Sequence, residues 1–127
     1  MKRALILLLA PLLLAAADAR TFTIGGETFS EADILDARGQ PELGGKAAIR
    51  ITFSPAGAAR LAALSHAYDG KALPILLDGE RLAEPVVQGG IDDGVAQISG
   101  GFTLAEADAF ALKISGKPPL PESLDEP

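Results

Sequence analysis

Glycine-containing turns recur along the chain from Arg20 onward, and their spacing constrains the possible fold more than any other feature. The turns fall at Gly25-Gly26, Gly44-Gly45, Gly70, Asp78-Gly79, Gly89-Gly90, Asp92-Asp93-Gly94, Gly100-Gly101 and Gly116. The segments between them have the lengths of single strands and helices. With 127 residues in all, the sequence predicts one small domain rather than two.

Residue alternation and capping patterns assign a type to most segments. Short strands are predicted at 21–24, 47–53, 73–77, 81–87 and 95–99, and the segment 34–37 is either a brief strand or a helical end. Asp78-Gly79 between two extended runs is a strong hairpin signal. The segment from Gly39 to Gly45 contains three glycines and a proline, so we predict a loop there.

Two helices are predicted from their starting residues. Ser54 followed by Pro55 fits an N-cap and a first helical position, and Thr103 with Glu106 forms a capping-box pattern. Together these elements predict an α+β fold, a small antiparallel sheet with two helices packed on one face.

The first 19 residues have the pattern of a secretory signal peptide. Lys2 and Arg3 precede an apolar run from Ala4 to Leu14, and Ala17-Asp18-Ala19 offers a cleavage pattern. An uncleaved N-terminal anchor is the alternative. We therefore expect a signal peptide at 1–19 and a periplasmic or secreted domain at 20–116. The mature chain should have no membrane span, and a disordered or extended, proline-rich acidic tail should follow at 117–127.

Composition excludes several kinds of chemistry. The chain has no cysteine and one histidine, so it has no thiolate zinc site, no cysteine nucleophile and no multi-histidine metal site. Its net charge is -6 and its lysines and arginines do not cluster, which argues against nucleic acid as a partner. Ser65 and His66 are adjacent on a predicted helix and point about 100° apart, so they do not form a nucleophile–base pair.

Two further motifs are weak matches to ligand sites. The segment from Gly39 to Lys46 has the wrong spacing for a phosphate-binding loop, and Ala47 stands where such loops need Ser or Thr. Asp92-Asp93-Gly94 lacks the alternating oxygen ligands of a calcium loop, so a solvated turn is the better interpretation. A paired-carboxylate glycosidase site stays open on sequence alone, although the chain has little aromatic surface to hold a sugar. We therefore expect no enzyme activity, no cofactor and no metal.

One stretch suggests a polypeptide-binding surface. Pro85 cannot donate to a sheet ladder, so the strand around it should lie at an edge or bend. The glycines after it fit either simple turn geometry or a mobile lip beside an edge strand, which could hold an extended polypeptide by main-chain hydrogen bonds. The candidate binding residues are Pro85, Val86, Val87, Gln88, Gly89, Gly90 and Ile91.

Two long stretches carry a family resemblance. They are ITFSPAGAARLAALSHAYDGKALPILLDGERLAEPVV and IDDGVAQISGGFTLAEADAFALKIS. Together they resemble the head subdomain of the first periplasmic domain of the SecD and SecDF protein-export family. The resemblance implies a non-enzymatic, extracytoplasmic α+β module that binds polypeptide or a Sec-type membrane partner during protein translocation. The alternative is an envelope accessory or structural module that docks on a dedicated protein partner through its tail or a sheet face.

Overall fold

Residues 20–121 are described by a computed structural model of the chain. The strands are β1 (Phe22–Ile24), β2 (Glu27–Thr28), β3 (Ile34–Pro41), β4 (Ala47–Phe53), β5 (Ile75–Leu77), β6 (Glu80–Ala83) and β7 (Val95–Phe102). The helices are α1 (Pro55–Ala67) and α2 (Leu104–Ser115). The predicted signal peptide and residues 122–127 lie outside the described part. Between 20 and 121, no helix combines the length and the apolarity needed to cross a membrane.

The strands form two antiparallel sheets rather than the single sheet that the sequence suggested. One sheet has the order β2-β1-β5-β6 and the other the order β3-β4-β7. The α+β class is confirmed, but β6 and β7 each end a sheet and are not hydrogen bonded to each other as strands. Sequence patterns identify strands, whereas the number of sheets depends on which strand edges meet.

Strand β4 is the central strand of the three-stranded sheet, and its alternation follows the predicted pattern. Ile49 and Ile51 are fully buried, whereas Arg50 between them is exposed. The buried face belongs to one apolar cluster that also includes Phe22 and Leu61. Both helices and both sheets therefore share a single core.

Strand β3 is longer than predicted, so the prediction of a loop that begins at Gly39 was wrong. The strand runs to Pro41, with Gly39 opposite Ile49 and Pro41 opposite Ala47. A Cβ atom at Gly39 would lie 2.5 Å from the Asp108 Oδ1 atom and 3.1 Å from the Ala107 Cβ atom. Glycine is needed here because α2 packs directly on the strand, not because the chain turns.

The predicted helix starts are confirmed by their hydrogen bonds. The Gly57 N–H donates to the Ser54 Oγ atom at 3.2 Å. At α2, the Glu106 N–H donates to the Thr103 Oγ1 atom at 3.0 Å, and the Thr103 N–H donates to the Glu106 carboxylate at 2.9 Å. Side chains thus satisfy backbone donors that would otherwise be unpaired in the first turn of each helix.

The beginning of the segment after α2 lies along β3 and is hydrogen bonded to it. The Leu120 N–H donates to the Asp36 carboxylate at 2.7 Å, and Arg38 donates to the Leu120 carbonyl at 2.7 Å and to Asp36 at 2.8 Å. Burial alone would raise the pKa of Asp36, but these hydrogen bonds and the charges of Arg38 and Arg50 outweigh it and lower the pKa. Asp36 therefore joins the strand to the following segment as a carboxylate.

Candidate functional site

A groove opens between the β6 edge of the four-stranded sheet and the β7 edge of the three-stranded sheet. Its volume is about 210 Å³. Its floor consists of apolar side chains from both sheets and from α1, and these are at most 5% exposed. The floor residues are Ile24, Leu61, Leu73, Ile75 and Ile98. One wall is the β7 strand, and the other is the segment from Pro85 to Ile91, here called the lip.

The first half of the lip extends the β5–β6 hairpin. The Leu73 N–H donates to the Pro85 carbonyl at 2.7 Å, and the Val87 N–H donates to the Lys71 carbonyl at 3.0 Å. A residue at this place in an antiparallel ladder normally accepts one backbone hydrogen bond and donates another. Pro85 has no N–H, so it only accepts, as expected for a proline that interrupts a ladder. Since the backbone alternates, the N–H and carbonyl of Val86 point away from the hairpin partner.

The second half of the lip turns away from extended geometry. Gly89 and Gly90 have φ angles of 86° and 88°, in the left-handed region that strands do not use. A strand-like edge in the lip therefore ends at Gln88. Val86 is 58% exposed on that edge, whereas the Val87 side chain is buried in the core.

Three side chains in or just after helix α1 contact the turned half of the lip and the loop that follows it. Ser65 is fully buried, and its Oγ atom accepts from the Ile91 N–H at 2.7 Å. Asp69, just beyond α1, accepts from the Gly89 N–H at 2.9 Å. The His66 Nε2 atom lies 2.8 Å from the Asp92 carboxylate in the loop that follows.

Ser65 and His66 point in different directions, as the helical spacing predicted. The Ser65 hydroxyl donates to the Ala62 carbonyl at 3.0 Å, while the His66 side chain is 55% exposed and paired with Asp92. The two side chains thus contact different parts of the lip and the following loop. Asp92-Asp93-Gly94 forms the turn that connects this loop to β7, and the Val95 N–H donates to the Asp93 carboxylate at 3.1 Å.

Strand β7 presents a free backbone edge to the groove. It pairs with β4 on one side and with no strand of the described chain on the other. The Phe53 N–H donates to the Gly94 carbonyl, which sets the phase of the antiparallel ladder. In that phase, Ala96 and Ile98 bond to β4, and the backbone groups of Gln97 and Ser99 point to the open edge.

Beyond the residues that line the groove, β7 passes close to β6 at Gly100. A Cβ atom at Gly100 would lie 3.2 Å from the Leu82 carbonyl oxygen and 2.7 Å from the Phe102 ring. The β7 strand and β6 thus approach closely at this point. The sequence predicted that β7 ends before Gly100, but the strand continues to Phe102, with a shift in its pairing to β4 between Ala47 and Ala48.

The lining of the groove carries no titratable group. Its polar members are Gln88 and Gln97, and its remaining lining residues are apolar or glycine. Such a surface offers backbone hydrogen bonds and apolar contact, but no acid, base or nucleophile from its own side chains.

Sequence reasoning located the lip and missed the opposite wall. The β7 segment was recognised as a strand, but nothing in its residues marks it as the end of a sheet. Leu61 lies beneath the groove, a position that no signal in the sequence marks. Edge positions follow from strand order, so local pattern cannot identify them.

Comparison with known proteins identifies the family. Residues 15–118 match the family model described as SecDF, P1 head subdomain. The chain belongs to the SecDF P1 head subdomain family. The resemblance recognised in the sequence is thereby confirmed.

Named relatives and solved structures of the P1 head family agree with this assignment. The chain is 34% identical over 104 residues to the protein translocase subunit SecDF of Thermus thermophilus, covering 81% of this chain and 14% of that protein. It is 32% identical over 83 residues to the SecD subunit of Dictyoglomus turgidum, covering 65% of this chain and 21% of that protein. The chain therefore spans a small part of the length of these relatives.

The fold matches solved SecDF structures at a similar level of identity. A structure described as a membrane component SecDF that enhances protein export superposes with a TM-score of 0.65 and 33% identity, over 76% of this chain and 44% of that one. SecDF in a super-membrane-facing form gives a TM-score of 0.63 and 33% identity, over 73% of this chain and 12% of that one.

Proposed function

We propose that this P1 head domain binds extended polypeptide by strand addition in the groove, outside the cytoplasm, in association with protein translocation. The observation that carries the proposal is the pair of strand edges on either side of the groove. Val86 and Gln88 on the lip face a wall in which Gln97 and Ser99 present unpaired backbone groups. An extended chain lying between them would gain main-chain hydrogen bonds that do not depend on its sequence.

The chemistry of the groove supports a binding role rather than catalysis. Its lining holds no titratable side chain, and its apolar floor favours desolvated contact with a ligand. A carrier of many different polypeptides needs this combination, because main-chain bonds supply affinity without selecting one sequence. We therefore propose a non-enzymatic module that needs no cofactor.

The named relatives are translocase subunits, and this supports the proposed setting. A domain similar to one part of SecDF would encounter polypeptide as it leaves the membrane. We propose a Sec-type membrane protein as the partner and the periplasm as the location. The predicted signal peptide at 1–19 agrees with export.

The alternative, docking of a dedicated partner through the tail at 117–127, has weaker support. The beginning of that segment is already bound to the domain, because Asp36 and Arg38 hold Leu120. Free edges at the groove have no such internal partner among the described residues. We therefore favour the groove as the binding surface.

Titration with a permanently unfolded secretory polypeptide at low and high salt tests the proposal. We expect binding that survives added salt, because main-chain hydrogen bonds are screened less than surface charge pairs. Gln97→Pro removes an outward N–H that β4 does not use, and it should weaken binding about two- to tenfold. Gln97→Thr loses the same side chain but keeps the N–H, so it is the matched control.

Two results would overturn the proposal. One is the absence of binding at high micromolar concentration in both salt conditions. The other is equal weakening by Gln97→Pro and Gln97→Thr, which would assign the effect to the side chain rather than to the strand edge. Thermal melting of both variants shows whether β7 stays folded.

A further inference from the structure

We propose that the groove selects extended segments that place one aliphatic or phenyl-sized side chain over its floor. This inference rests on the proposed function of the groove and adds a preference to it. Strand addition alone would accept any sequence, whereas the cavity beneath the edges distinguishes side chains by size and charge.

The size of the cavity sets the first limit. Its volume is about 210 Å³, and a dry cavity of about 150 Å³ is large enough to hold benzene. One valine, leucine, isoleucine or phenylalanine side chain therefore fits. The same volume limits the number of side chains that can enter together.

The strand geometry of the ligand sets the second limit. Successive side chains of an extended chain point to opposite faces, so when one residue points to the floor its two neighbours point away. The side chains of these two neighbours then face solvent, so the groove does not select for them. A polypeptide would satisfy the groove in any register that brings an apolar residue over Leu61 and Ile98.

The chemistry of the floor sets the third limit. Ile24, Leu61 and Leu73 are 1–2% exposed, and no lining residue carries a charge. A charged guest side chain would lose its hydration without gaining an ionic partner, which is strongly unfavourable. Two side-chain pairs lie beside the lip: the His66 Nε2 atom is 2.8 Å from the Asp92 carboxylate, and Arg81 is 2.9 Å from the Glu84 carboxylate.

A guest-residue series tests the inference. The probe is a nine-residue peptide of serine and threonine, acetylated and amidated at its ends, with alanine, leucine or aspartate at its centre. We expect the leucine peptide to bind about tenfold more tightly than the alanine peptide, since three further apolar carbons are partly buried. The aspartate peptide should bind more weakly than the alanine peptide. Affinities are measured by NMR titration of the protein.

A cavity-filling variant links the preference to the groove. Ala96 is half-buried and lines the wall, so Ala96→Leu should occupy the space and reduce the leucine preference to less than threefold. Ala96→Val is a smaller change that should reduce the preference in part. Thermal melting of each variant shows whether the wall stays folded.

The outcomes separate this inference from the proposed function. If the unfolded secretory polypeptide does not bind, the proposed function itself fails. If that polypeptide binds but the three guest peptides do not differ, or if the aspartate peptide binds best, the proposed function stands and the preference is overturned. A preference unchanged in folded Ala96→Leu protein would also overturn it, because the cavity would then not be its source.

Discussion

The bond between Ser65 and the lip gives a quantitative test of how the groove is held. Ser65→Ala removes the acceptor of the Ile91 N–H, which is bound at 2.7 Å by a fully buried side chain. Ile91 is half-buried, so leaving its N–H unpaired costs at most the roughly 1–3 kcal/mol of a fully buried donor. Alanine has a higher helix propensity than serine, which stabilises the folded state by about 0.5 kcal/mol. The net loss in the free energy of unfolding is therefore about 0.5–2.5 kcal/mol.

Thermal melting and amide hydrogen exchange measure this effect. For a domain of this size, each kcal/mol lowers the melting temperature by roughly 4–8 °C, so we expect a decrease of roughly 2–20 °C. Exchange of the Ile91 amide should accelerate more than exchange in β4. The local readout matters because a general loss of stability alone would not show that the lip had been released.

Ser115→Ala is the matched control for this experiment. Ser115 is also a buried helical serine, but its hydroxyl bonds to the backbone of Lys117, which is exposed. Water can replace those bonds, so the decrease in melting temperature should be smaller. The reasoning is refuted if Ser65→Ala melts like the unaltered protein, or if Ser115→Ala is the more damaging of the two.

Two further perturbations test other contacts. Gly90→Ala should lower the melting temperature more than Gly89→Ala. Both glycines have left-handed φ angles, but only at Gly90 would the new Cβ atom meet the His66 ring, at 2.5 Å. Equal decreases in the melting temperature would contradict this prediction. Because the folded state lowers the pKa of Asp36, its contribution to stability is present above about pH 4 and is lost as the pH falls through the lowered value. Asp36→Asn should therefore reduce the pH dependence of the unfolding free energy between pH 5 and 2, and an unchanged slope would refute it.

Local signals predicted the helix starts and several strands. Ser54 and Thr103 act on backbone groups within three residues, so the pattern that marks a cap is sufficient to identify it. The β4 strand was recognised because one face of it is buried, which imposes an alternation that the sequence records. The evidence for these elements lies within the segments themselves.

Long-range pairing explains where the sequence predictions were wrong. Gly39 and Pro41 look like loop residues, but pairing with β4 keeps them in a strand. Gly100 and Gly101 look like the end of β7, but they lie within the strand where its pairing shifts. In both cases tertiary contacts override local propensity, and nothing within the segment records the partner.

In the candidate site too, features set by local sequence were predicted and features set by long-range contacts were not. Pro85 marked an interrupted strand correctly, because a missing N–H has consequences in any fold. The role of Ser65 was not predicted, since its partner Ile91 lies 26 residues away. Gln97 and Ser99 were missed because their free backbone groups follow only from the position of β7 at the end of a sheet.

The arrangement of the groove reconciles free strand edges with a single folded domain. An exposed edge invites pairing with other molecules, which risks aggregation. Here the two edges lie on either side of one groove. Their strands approach closely at Gly100, and Ser65 holds the Ile91 end of the lip. Under the proposed function, these contacts would hold the walls in place without a ligand, so binding would not have to offset the cost of ordering them. Releasing the lip should therefore weaken polypeptide binding even where every residue that lines the groove is unchanged.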